Sequence, residues 1–333
     1  MPDTFRAFVL ERQDGGVEAA IRDVSLDELP QGDVLVSVAY SSLNYKDGLA
    51  VMGRGKVVRD YPMVPGIDLA GTVVESKSSK WRSGDEVILT GWGMGESHWG
   101  GFGQLARVDG DWLVRLPRGM TACQAMALGS AGFTAMLALT ALEAHNLRPD
   151  SGQVVVTGAA GGLGSLAVAL LARRGYKTVA STGRPETHDY LRSLGASDIL
   201  DRNVLAAAPT RPMESGRWAG AIDTVGGASL AGLLRTMKER GSIAVCGNAG
   251  GVDVQTTVLP FILRGVTLIG IESARVPLRD RQIAWDRLAE EVPMGLLEHV
   301  ARVVPLREVA SLSEEILDGR IRGRIVVDLH ASG

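Results

Sequence analysis

A glycine-rich run gives this sequence its clearest chemical signal. Between residues 158 and 164 the chain reads GAAGGLG, and glycine lets a backbone turn tightly and approach a phosphate without a Cβ in the way. The run follows the apolar segment 153–157 and opens segment 163–174, whose apolar residues share one helical face. Because a helix N-terminus offers unpaired N–H groups to phosphate oxygens, we expect a strand, a turn and a helix that bind a dinucleotide, rather than a plain structural turn.

The next apolar segment, residues 177–182, indicates which dinucleotide is bound. An enzyme that uses NAD carries Asp or Glu at the end of this strand, where a carboxylate accepts hydrogen bonds from the ribose. Here residues 181–184 read STGR. Hydroxyls and a guanidinium would donate hydrogen bonds to a 2′-phosphate that a carboxylate would repel. Arg202, after the third predicted strand, adds a second cation. The sequence therefore predicts NADPH or NADP as the cofactor.

These residues require a sheet of parallel strands to position them. From about residue 126, alanine- and leucine-rich periodic segments alternate with short β-branched runs, which is typical of βαβ units. The predicted strands are 153–157, 177–182, 197–200, 219–225, 242–246 and 266–271. Six such strands predict an α/β fold with a Rossmann-type, doubly wound parallel sheet over residues 126–272.

The rest of the chain has a different texture. Short apolar runs separated by Gly, Pro and Asp predict a β-rich, barrel-like domain over residues 1–125. Its predicted strands are 5–10, 33–41, 71–75, 85–89 and 101–108. Helices are expected around residues 279–291 and 306–317, and a last strand at 324–329. We expect residues 273–333 to complete the first domain.

The composition narrows the classes of function. A formal net charge of −3 over 333 residues gives no field that would attract nucleic acid or an anionic membrane. Charged residues interrupt the N-terminal stretch where a secretory signal would be apolar, and we expect no apolar run long enough to span a bilayer. The only cysteines, Cys123 and Cys246, are too few and too far apart in sequence for a disulfide scaffold or a zinc lobe, so a reducing cytoplasm is expected.

Several motifs along nearly the whole chain carry a family resemblance. They lie at residues 41–49, 65–71, 91–93, 98–101, 219–226, 260–265 and 323–324. The chain resembles the medium-chain dehydrogenase/reductase superfamily, and within it the acrylyl-CoA reductase and quinone oxidoreductase family. The resemblance implies a GroES-like catalytic domain built from both chain ends and a Rossmann domain. Where zinc-dependent members carry Cys and His-Glu, residues 42–44 read SLN and residues 66–68 read GID, so we expect no metal site.

The resemblance implies an oxidoreductase that acts on an activated carbon–carbon double bond. With no metal to polarise a carbonyl, conjugate reduction needs only a hydride donor, a hydrogen bond to the carbonyl oxygen and a proton source. The expected reaction is NADPH-dependent reduction of a short enoyl-CoA, acrylyl-CoA to propionyl-CoA first of all. One alternative is a quinone or enone oxidoreductase that does not require CoA. The other is a non-catalytic NADPH-binding protein.

Four polar residues match family positions beside the nicotinamide: Asn44, Tyr45, Asp47 and Asp68. Tyr45 either donates a hydrogen bond or proton from its phenol or contacts the nicotinamide ribose and amide. Asp47 is either catalytic or purely structural. Asp68 would orient Tyr45 or a water.

The family also implies an extended set of cofactor contacts. They are Tyr45, Ala160, Gly161, Gly162, Leu163, Ser181, Thr182, Gly183, Arg184, Arg202, Asn248, Ile262, Ser273 and Arg324. If the substrate is a CoA thioester, its phosphates need basic partners. The candidates are Arg54, Lys56, Arg59, Arg275 and Arg279. We further expect a homodimer in which predicted strand 266–271 pairs edge to edge with its copy.

Overall fold

The chain divides into two compact units. The computed structural model describes residues 3–13, 16–208 and 211–331. The first unit comprises Met1–Ser130, Ser273–Ala289 and Pro293–Gly333, and the second comprises Ala131–Glu272 and Glu290–Val292. Compared with the division predicted from the sequence, residues 126–130 belong to the first unit and residues 290–292 to the second.

Strands and helices follow one another along the whole described chain. The strands are β1 (Thr4–Gln13), β2 (Gly16–Ser25), β3 (Val34–Leu43), β4 (Asp68–Ser76), β5 (Glu86–Thr90), β6 (Leu105–Val108), β7 (Val114–Arg115), β8 (Gln153–Val156), β9 (Lys177–Thr182), β10 (Asp198–Asp201), β11 (Trp218–Asp223), β12 (Met237–Val245), β13 (Thr267–Gly270), β14 (Ala301–Pro305) and β15 (Arg324–Asp328). The helices are α1 (Tyr45–Val51), α2 (Ala122–Ala144), α3 (Gly162–Arg173), α4 (His188–Ser193), α5 (Arg202–Ala206), α6 (Gly227–Thr236), α7 (Leu259–Arg264), α8 (Leu278–Glu291), α9 (Met294–Val300) and α10 (Val309–Leu317).

The first unit is built on a seven-stranded sheet. Six of its strands pair in the order β14-β15-β3-β4-β5-β7, and the seventh, β6, pairs with β3. The strands β1 and β2 form a separate hairpin. Antiparallel pairing sets Ile325 of β15 opposite Leu43 of β3, and Leu69 of β4 opposite Ser41. This register gathers the end of β3, the start of β4 and the start of β15 at one end of the sheet.

The second unit contains the predicted parallel sheet. Its six strands pair in the order β10-β9-β8-β11-β12-β13, and every pairing is parallel. The chain therefore runs outward from β8 to one edge, returns to β11 and runs to the other edge, so the prediction of a doubly wound Rossmann sheet is confirmed. In this topology ligands bind at the carboxyl ends of the strands where the direction reverses, which are here β8 and β11.

Three strands were not predicted: β2, β7 and β14. Of the helices, only α3, α8 and α10 had been placed from the sequence. The alternate residues of β2 are exposed or only half-buried over most of its length, so it lacks the run of apolar residues that marks the sheet strands. Strand β7 has only two residues. In β14 only Val304 is buried.

The long helix α2 carries more apolar residues than the sequence analysis allowed for. By length and composition alone it would suffice to cross a membrane, although most of its apolar window is buried in the protein. The expectation of no such run was therefore wrong. Burial of this kind is typical of a core helix, and Gly129, with φ 51° and ψ −156°, breaks the helical geometry near its start.

Candidate functional site

The glycine turn between β8 and α3 has two kinds of glycine. At Gly164 a Cβ would lie 2.3 Å from the carbonyl oxygen of Gly158 and 2.7 Å from the Cα of Ala159, so this glycine lets the helix pack on the turn. Gly158 has a φ of 58°, and a Cβ there would lie 2.4 Å from the Thr224 hydroxyl. A Cβ on Gly161, by contrast, would meet only the Gly158 oxygen, at 3.3 Å. Gly161 is therefore less crowded than Gly164 or Gly158, and it lies at the start of α3, where a phosphate could approach the backbone.

A buried carboxylate anchors this turn to the neighbouring strand. Asp223, at the end of β11, is fully buried and accepts a 2.6 Å hydrogen bond from the Thr157 hydroxyl and a 2.9 Å bond from the Gly226 N–H. The Thr224 N–H in turn donates to Thr157 Oγ1 at 3.0 Å. Burial raises the pKa of Asp223. The sequence analysis did not select this residue, although an acidic residue that ends an apolar strand is a signal that could have found it.

The end of β9 brings two of the predicted cations to one place. A Cβ on Gly183 would lie 2.4 Å from Nε of Arg202, so the Arg202 side chain lies directly against this glycine. Arg202 is exposed and Arg184 half-buried. The hydroxyl of Thr182 is buried and accepts a 3.2 Å bond from the Arg184 N–H, and the Ser181 carbonyl accepts from Ala159 N–H at 3.1 Å. The guanidinium groups therefore present more of their surface to a ligand than the two hydroxyl residues do.

Two further cofactor candidates lie on the surface of the second unit. Asn248 is exposed in the loop after β12, and this loop is held to the loop after β11 by a 2.7 Å bond from Gly250 N–H to the Val225 carbonyl. Ile262, in α7, is 69% exposed. In the turn itself Ala160 is buried, whereas Gly162 and Leu163 are half-buried.

In the first unit, Asp68 is the centre of a buried polar cluster. Its Oδ2 accepts hydrogen bonds from Ser42 Oγ at 2.6 Å, from Asn44 Nδ2 at 2.9 Å and from the Ser130 N–H at 2.9 Å. Its Oδ1 accepts from Ser130 Oγ at 2.5 Å. The Asp68 side chain is fully buried, so in this structure it cannot contact a substrate directly.

Arg324 supplies the positive charge of this cluster. Its guanidinium donates to Asn44 Oδ1 at 2.9 Å, to Ser42 Oγ at 2.8 Å and to the Ala127 carbonyl at 3.1 Å, and Nη2 lies 3.9 Å from Asp68 Oδ2. Burial lowers the pKa of Arg324. Arg324 is only 3% exposed. The Arg324 side chain therefore has almost no surface with which to make the predicted contact with the cofactor. In the structure, its partners are Asn44 and Asp68.

Asp47 lies beside the cluster and holds the start of α1. Its Oδ2 accepts a 2.9 Å hydrogen bond from the Asn44 N–H, and its Oδ1 accepts a 2.9 Å bond from the Ile67 N–H. Burial, followed by the nearby charge of Asp68, raises the pKa of Asp47 to about 7. The bonds to two backbone amides support the structural reading of Asp47 over the catalytic one.

Tyr45 is the member of the predicted catalytic set that reaches the surface. It is the first residue of α1 and is 38% exposed, whereas Asn44, Asp47 and Asp68 are buried. The structure thus brings all four predicted residues together but gives them different surroundings. Asn44 bonds to both Asp47 and Asp68 in the interior, whereas the Tyr45 side chain is exposed.

The remaining candidates lie elsewhere in the first unit. Ser273 is half-buried, and its carbonyl accepts a 3.1 Å bond from Arg281. The five basic residues suggested for CoA, Arg54, Lys56, Arg59, Arg275 and Arg279, are all exposed. Sequence reasoning missed Ser42, Gly129 and Ser130, which line the Asp68 cluster. Nothing in the local pattern around these small residues marks them as partners of a distant carboxylate.

Comparisons with known proteins bear on both units. Residues 30–118 match the family described as alcohol dehydrogenase GroES-like domain, and residues 162–290 match the family described as zinc-binding dehydrogenase. The chain is 51% identical over 329 residues to the acrylyl-CoA reductase AcuI of Ruegeria pomeroyi, covering 98% of this chain and 100% of the relative. The chain belongs to the acrylyl-CoA reductase family of medium-chain dehydrogenases/reductases.

Two proteins similar to this chain have crystal structures with bound nucleotides. The structure of Escherichia coli K-12 YHDH with bound NADPH is 50% identical to this chain, covers 97% of this chain and 99% of its own, and has a TM-score of 0.95. The "putative quinone oxidoreductase YhfP" of Bacillus subtilis is 45% identical over 99% of this chain and 100% of its own length. Its crystal structure with NAD bound also has a TM-score of 0.95, covering 98% of this chain and 100% of its own.

One of the two matched families is described as zinc-binding, so the possible metal ligands of this chain are relevant. Over residues 3–13, 16–208 and 211–331, no group of three or more His, Cys, Asp or Glu side chains is arranged to hold a metal ion. The carboxylate of Asp68 is instead surrounded by the hydrogen-bond donors Ser42, Asn44 and Ser130 and the cation Arg324.

Proposed function

We propose that this family member catalyses the NADPH-dependent reduction of acrylyl-CoA to propionyl-CoA. The observation that carries the proposal is the 51% identity, over 98% of the chain, to the acrylyl-CoA reductase of R. pomeroyi. The two units add physical support, because one offers a dinucleotide turn with cations and the other offers an exposed phenol on a rigid polar support.

The second unit has the features that NADPH requires. Gly161, which has no Cβ, lies at the N-terminus of α3 and would let a pyrophosphate approach the backbone there. Arg184 and Arg202 supply charge-assisted donors for the 2′-phosphate. The hydrogen bond from Thr157 to Asp223 holds the start of the turn to the end of β11. The bound NAD in the YhfP structure makes the choice between NADPH and NADH a point for direct measurement.

The first unit supplies the polar groups for the reaction. NADPH, when bound, provides the hydride that the β-carbon of the acyl group receives. Negative charge then develops on the thioester oxygen, and hydrogen-bond donors stabilise it before the α-carbon is protonated. Tyr45 is placed to donate from its phenol or to hold the nicotinamide ribose. Asn44, Asp47 and Asp68 act through their mutual bonds as positioning residues.

Recognition of the CoA moiety is assigned to exposed basic residues of the first unit. Arg54, Lys56 and Arg59 lie within one short exposed stretch after α1, and Arg275 and Arg279 are exposed before and at the start of α8. Guanidinium and ammonium groups pair with phosphates. A substrate without CoA would make no use of them.

A quinone or enone reductase is the competing function, and the name of YhfP favours it. Reduction of acrylyl-CoA with NADPH deuterated at C4 separates the two functions. We expect propionyl-CoA that carries deuterium at its β-carbon, seen by mass spectrometry, and no comparable turnover of a simple quinone. Quinone turnover without acrylyl-CoA reduction would instead establish the competing function. Tight NADPH binding with turnover of neither substrate would leave a non-catalytic binding protein.

We also propose that the enzyme is a cytoplasmic homodimer. The described cysteines, Cys123 and Cys246, are both free thiols, which is compatible with a reducing compartment.

Strand β13 is an edge of the six-stranded sheet, and Leu268 on this strand is 43% exposed. An exposed apolar edge strand is a template for pairing with a second copy.

Light scattering tests the dimer. Leu268→Glu places a charge on the edge strand, so the molar mass in solution should fall from that of a dimer to that of a monomer. Val204→Glu, at an exposed apolar residue of α5, should leave the molar mass unchanged. A protein that is already monomeric, or a Leu268→Glu variant that stays dimeric, would contradict this interface.

A further inference from the structure

The charges of the first unit's polar cluster are arranged around one amide. Asn44 Oδ1 faces the guanidinium of Arg324 at 2.9 Å, and Asn44 Nδ2 faces the carboxylate of Asp68 at 2.9 Å. If the amide were flipped, its NH₂ group would face a cation and its oxygen an anion. The pair of opposite charges therefore permits a single orientation of the Asn44 side chain.

Asn44 in turn sets the start of α1. Its carbonyl accepts the first helical bond, from the Gly48 N–H at 3.1 Å, and its N–H donates to Asp47 at 2.9 Å. Tyr45 is the next residue and begins the helix. A displacement of Asn44 would therefore move Tyr45.

The chain around the pair is shaped to fit it. Gly129 has a φ of 51°, and a Cβ at this position would lie 2.6 Å from both Arg324 Nη2 and Asp68 Oδ2. The same segment supplies the Ala127 carbonyl to Arg324 and the Ser130 N–H and hydroxyl to Asp68. A buried ion pair is weak evidence of stability, because desolvation offsets much of the attraction between the charges. The close fit indicates that this pair specifies geometry.

We propose that Arg324 is a positioning residue of the reaction, and that it acts through Asn44 on Tyr45. The inference rests on the proposed function, since Tyr45 is placed in the site by that function. In this role the guanidinium is needed for its shape as well as its charge. It donates to Asn44, to Ser42 and to the backbone of α2 at once, and a lysine ammonium cannot span these acceptors from one point.

Arg324→Lys is the first test, with Arg322→Lys as the matched control because Arg322 is exposed two residues earlier in the chain. We expect Arg324→Lys to lower kcat for acrylyl-CoA reduction at least about tenfold while the KM for NADPH stays within about twofold. We expect Arg322→Lys to change neither. Because the guanidinium shape is what is lost, added methylguanidinium should restore part of the kcat of an Arg324→Ala variant, and methylammonium should not.

Loss of Arg324 alone leaves Asp68 as an uncompensated buried charge and can prevent folding. The double variant Arg324→Met with Asp68→Asn removes both charges and keeps the cluster neutral. We expect it to fold and to retain the low kcat. A folded double variant with the kcat of the unaltered protein would overturn the proposal.

A spectroscopic measurement keeps this inference separate from the proposed function. With 3-fluorotyrosine placed at position 45 alone, the ¹⁹F resonance reports the surroundings of the phenol whether or not the protein turns over acrylyl-CoA. We expect the resonance to shift or broaden in Arg324→Lys and to stay unchanged in Arg322→Lys. An unchanged resonance in Arg324→Lys would refute the positioning role, whereas absence of acrylyl-CoA reduction by the unaltered protein would refute the proposed function.

Discussion

The glycine turn of the second unit and the Asp68 cluster of the first unit reach fixed geometry by opposite means. The turn depends on atoms that are absent, since a Cβ on Gly164 would lie 2.3 Å from a backbone oxygen. The cluster depends on atoms that are present and matched, since Asp68, Asn44 and Arg324 each bond to a defined partner. An added Cβ should therefore damage the turn, and removal of a polar side chain should damage the cluster, where an added Cβ is excluded at Gly129.

The two regions also differ in what they offer to a ligand. Around the turn, several groups face outward, including Arg202 and Asn248. In the cluster, the polar side chains are buried and hydrogen-bond to one another. Tyr45, next to them in the chain, is exposed. In the proposed function, the buried side chains of the cluster support the site, and the exposed Tyr45 contacts the ligand.

The largest effect is expected from adding one methyl group to the glycine turn. Gly164→Ala should raise the KM for NADPH at least about a hundredfold, equivalent to ~2.7 kcal/mol, and lower the unfolding temperature, because backbone atoms must move. Gly161→Ala is the matched control, since its Cβ meets only one protein atom at 3.3 Å. It should weaken NADPH binding about tenfold and lower the unfolding temperature less than Gly164→Ala does. If Gly161→Ala bound NADPH normally, the phosphate would not approach this residue.

A smaller effect is expected from the exposed cations beside the turn. Replacing Arg184 and Arg202 together with alanine removes two charge-assisted donors, each worth about 0.7–1.4 kcal/mol at these solvent-accessible positions. We expect the KM for NADPH to rise about ten- to a hundredfold and the KM for NADH to stay nearly constant. Initial rates with both nucleotides measure this. An equal loss with NADH would show that the arginines support the turn and do not read the 2′-phosphate.

Tyr45→Phe tests the exposed neighbour of the cluster. It removes one hydroxyl from a side chain that is 38% exposed, so the unfolding temperature should not change. We expect kcat/KM for acrylyl-CoA to fall about tenfold. A fall in kcat assigns the phenol to the reacting carbonyl, and a rise in the KM for NADPH assigns it to the ribose. A variant with unaltered kinetics would remove Tyr45 from the site.

The smallest effect concerns stability and pH at Asp47. Its pKa is raised in the folded protein to about 7, so the folded state holds a proton that the unfolded state has released between about pH 4 and pH 7. The stability from this group is full below about pH 4 and is lost as the pH rises to about 7. Asp47→Asn should therefore cost less free energy of unfolding at pH 8 than at pH 6, by about 1–2 kcal/mol.

Urea unfolding at the two pH values measures this difference. Asp60→Asn, at an exposed aspartate, serves as the control and should show little change between them. A cost at Asp47 that grew with pH would mean that the carboxylate is stabilised as an anion.

Local pattern explains what the sequence could predict. One continuous stretch of the chain contains the sheet strands and the residues Gly161, Gly164 and Arg184. Their spacing along this stretch therefore predicts the strand, the turn and the helix. The prediction of the Rossmann sheet was correct for this reason. Arg202 was selected because it follows the third predicted strand. The structure places its side chain against Gly183, and its contact with the cofactor stays a prediction.

The support of Tyr45 could not be predicted in the same way. Arg324 donates to Asn44 across 280 residues of chain, and the segment with Gly129 and Ser130 comes from an alanine-rich helix. The family motif pointed to Asn44, Asp47 and Asp68, yet no local pattern states that they bond to each other. Arg324 was therefore predicted to contact the cofactor, whereas its partners in the structure are Asn44 and Ser42.

We conclude that the enzyme reduces an enoyl thioester with NADPH. The most direct test compares kcat/KM for acrylyl-CoA with kcat/KM for a simple quinone, in initial-rate oxidation of NADPH by the purified, metal-free protein. We predict a kcat/KM for acrylyl-CoA at least about a hundredfold higher, a difference of ~2.7 kcal/mol in transition-state binding. Equal or faster turnover of the quinone would contradict the claim.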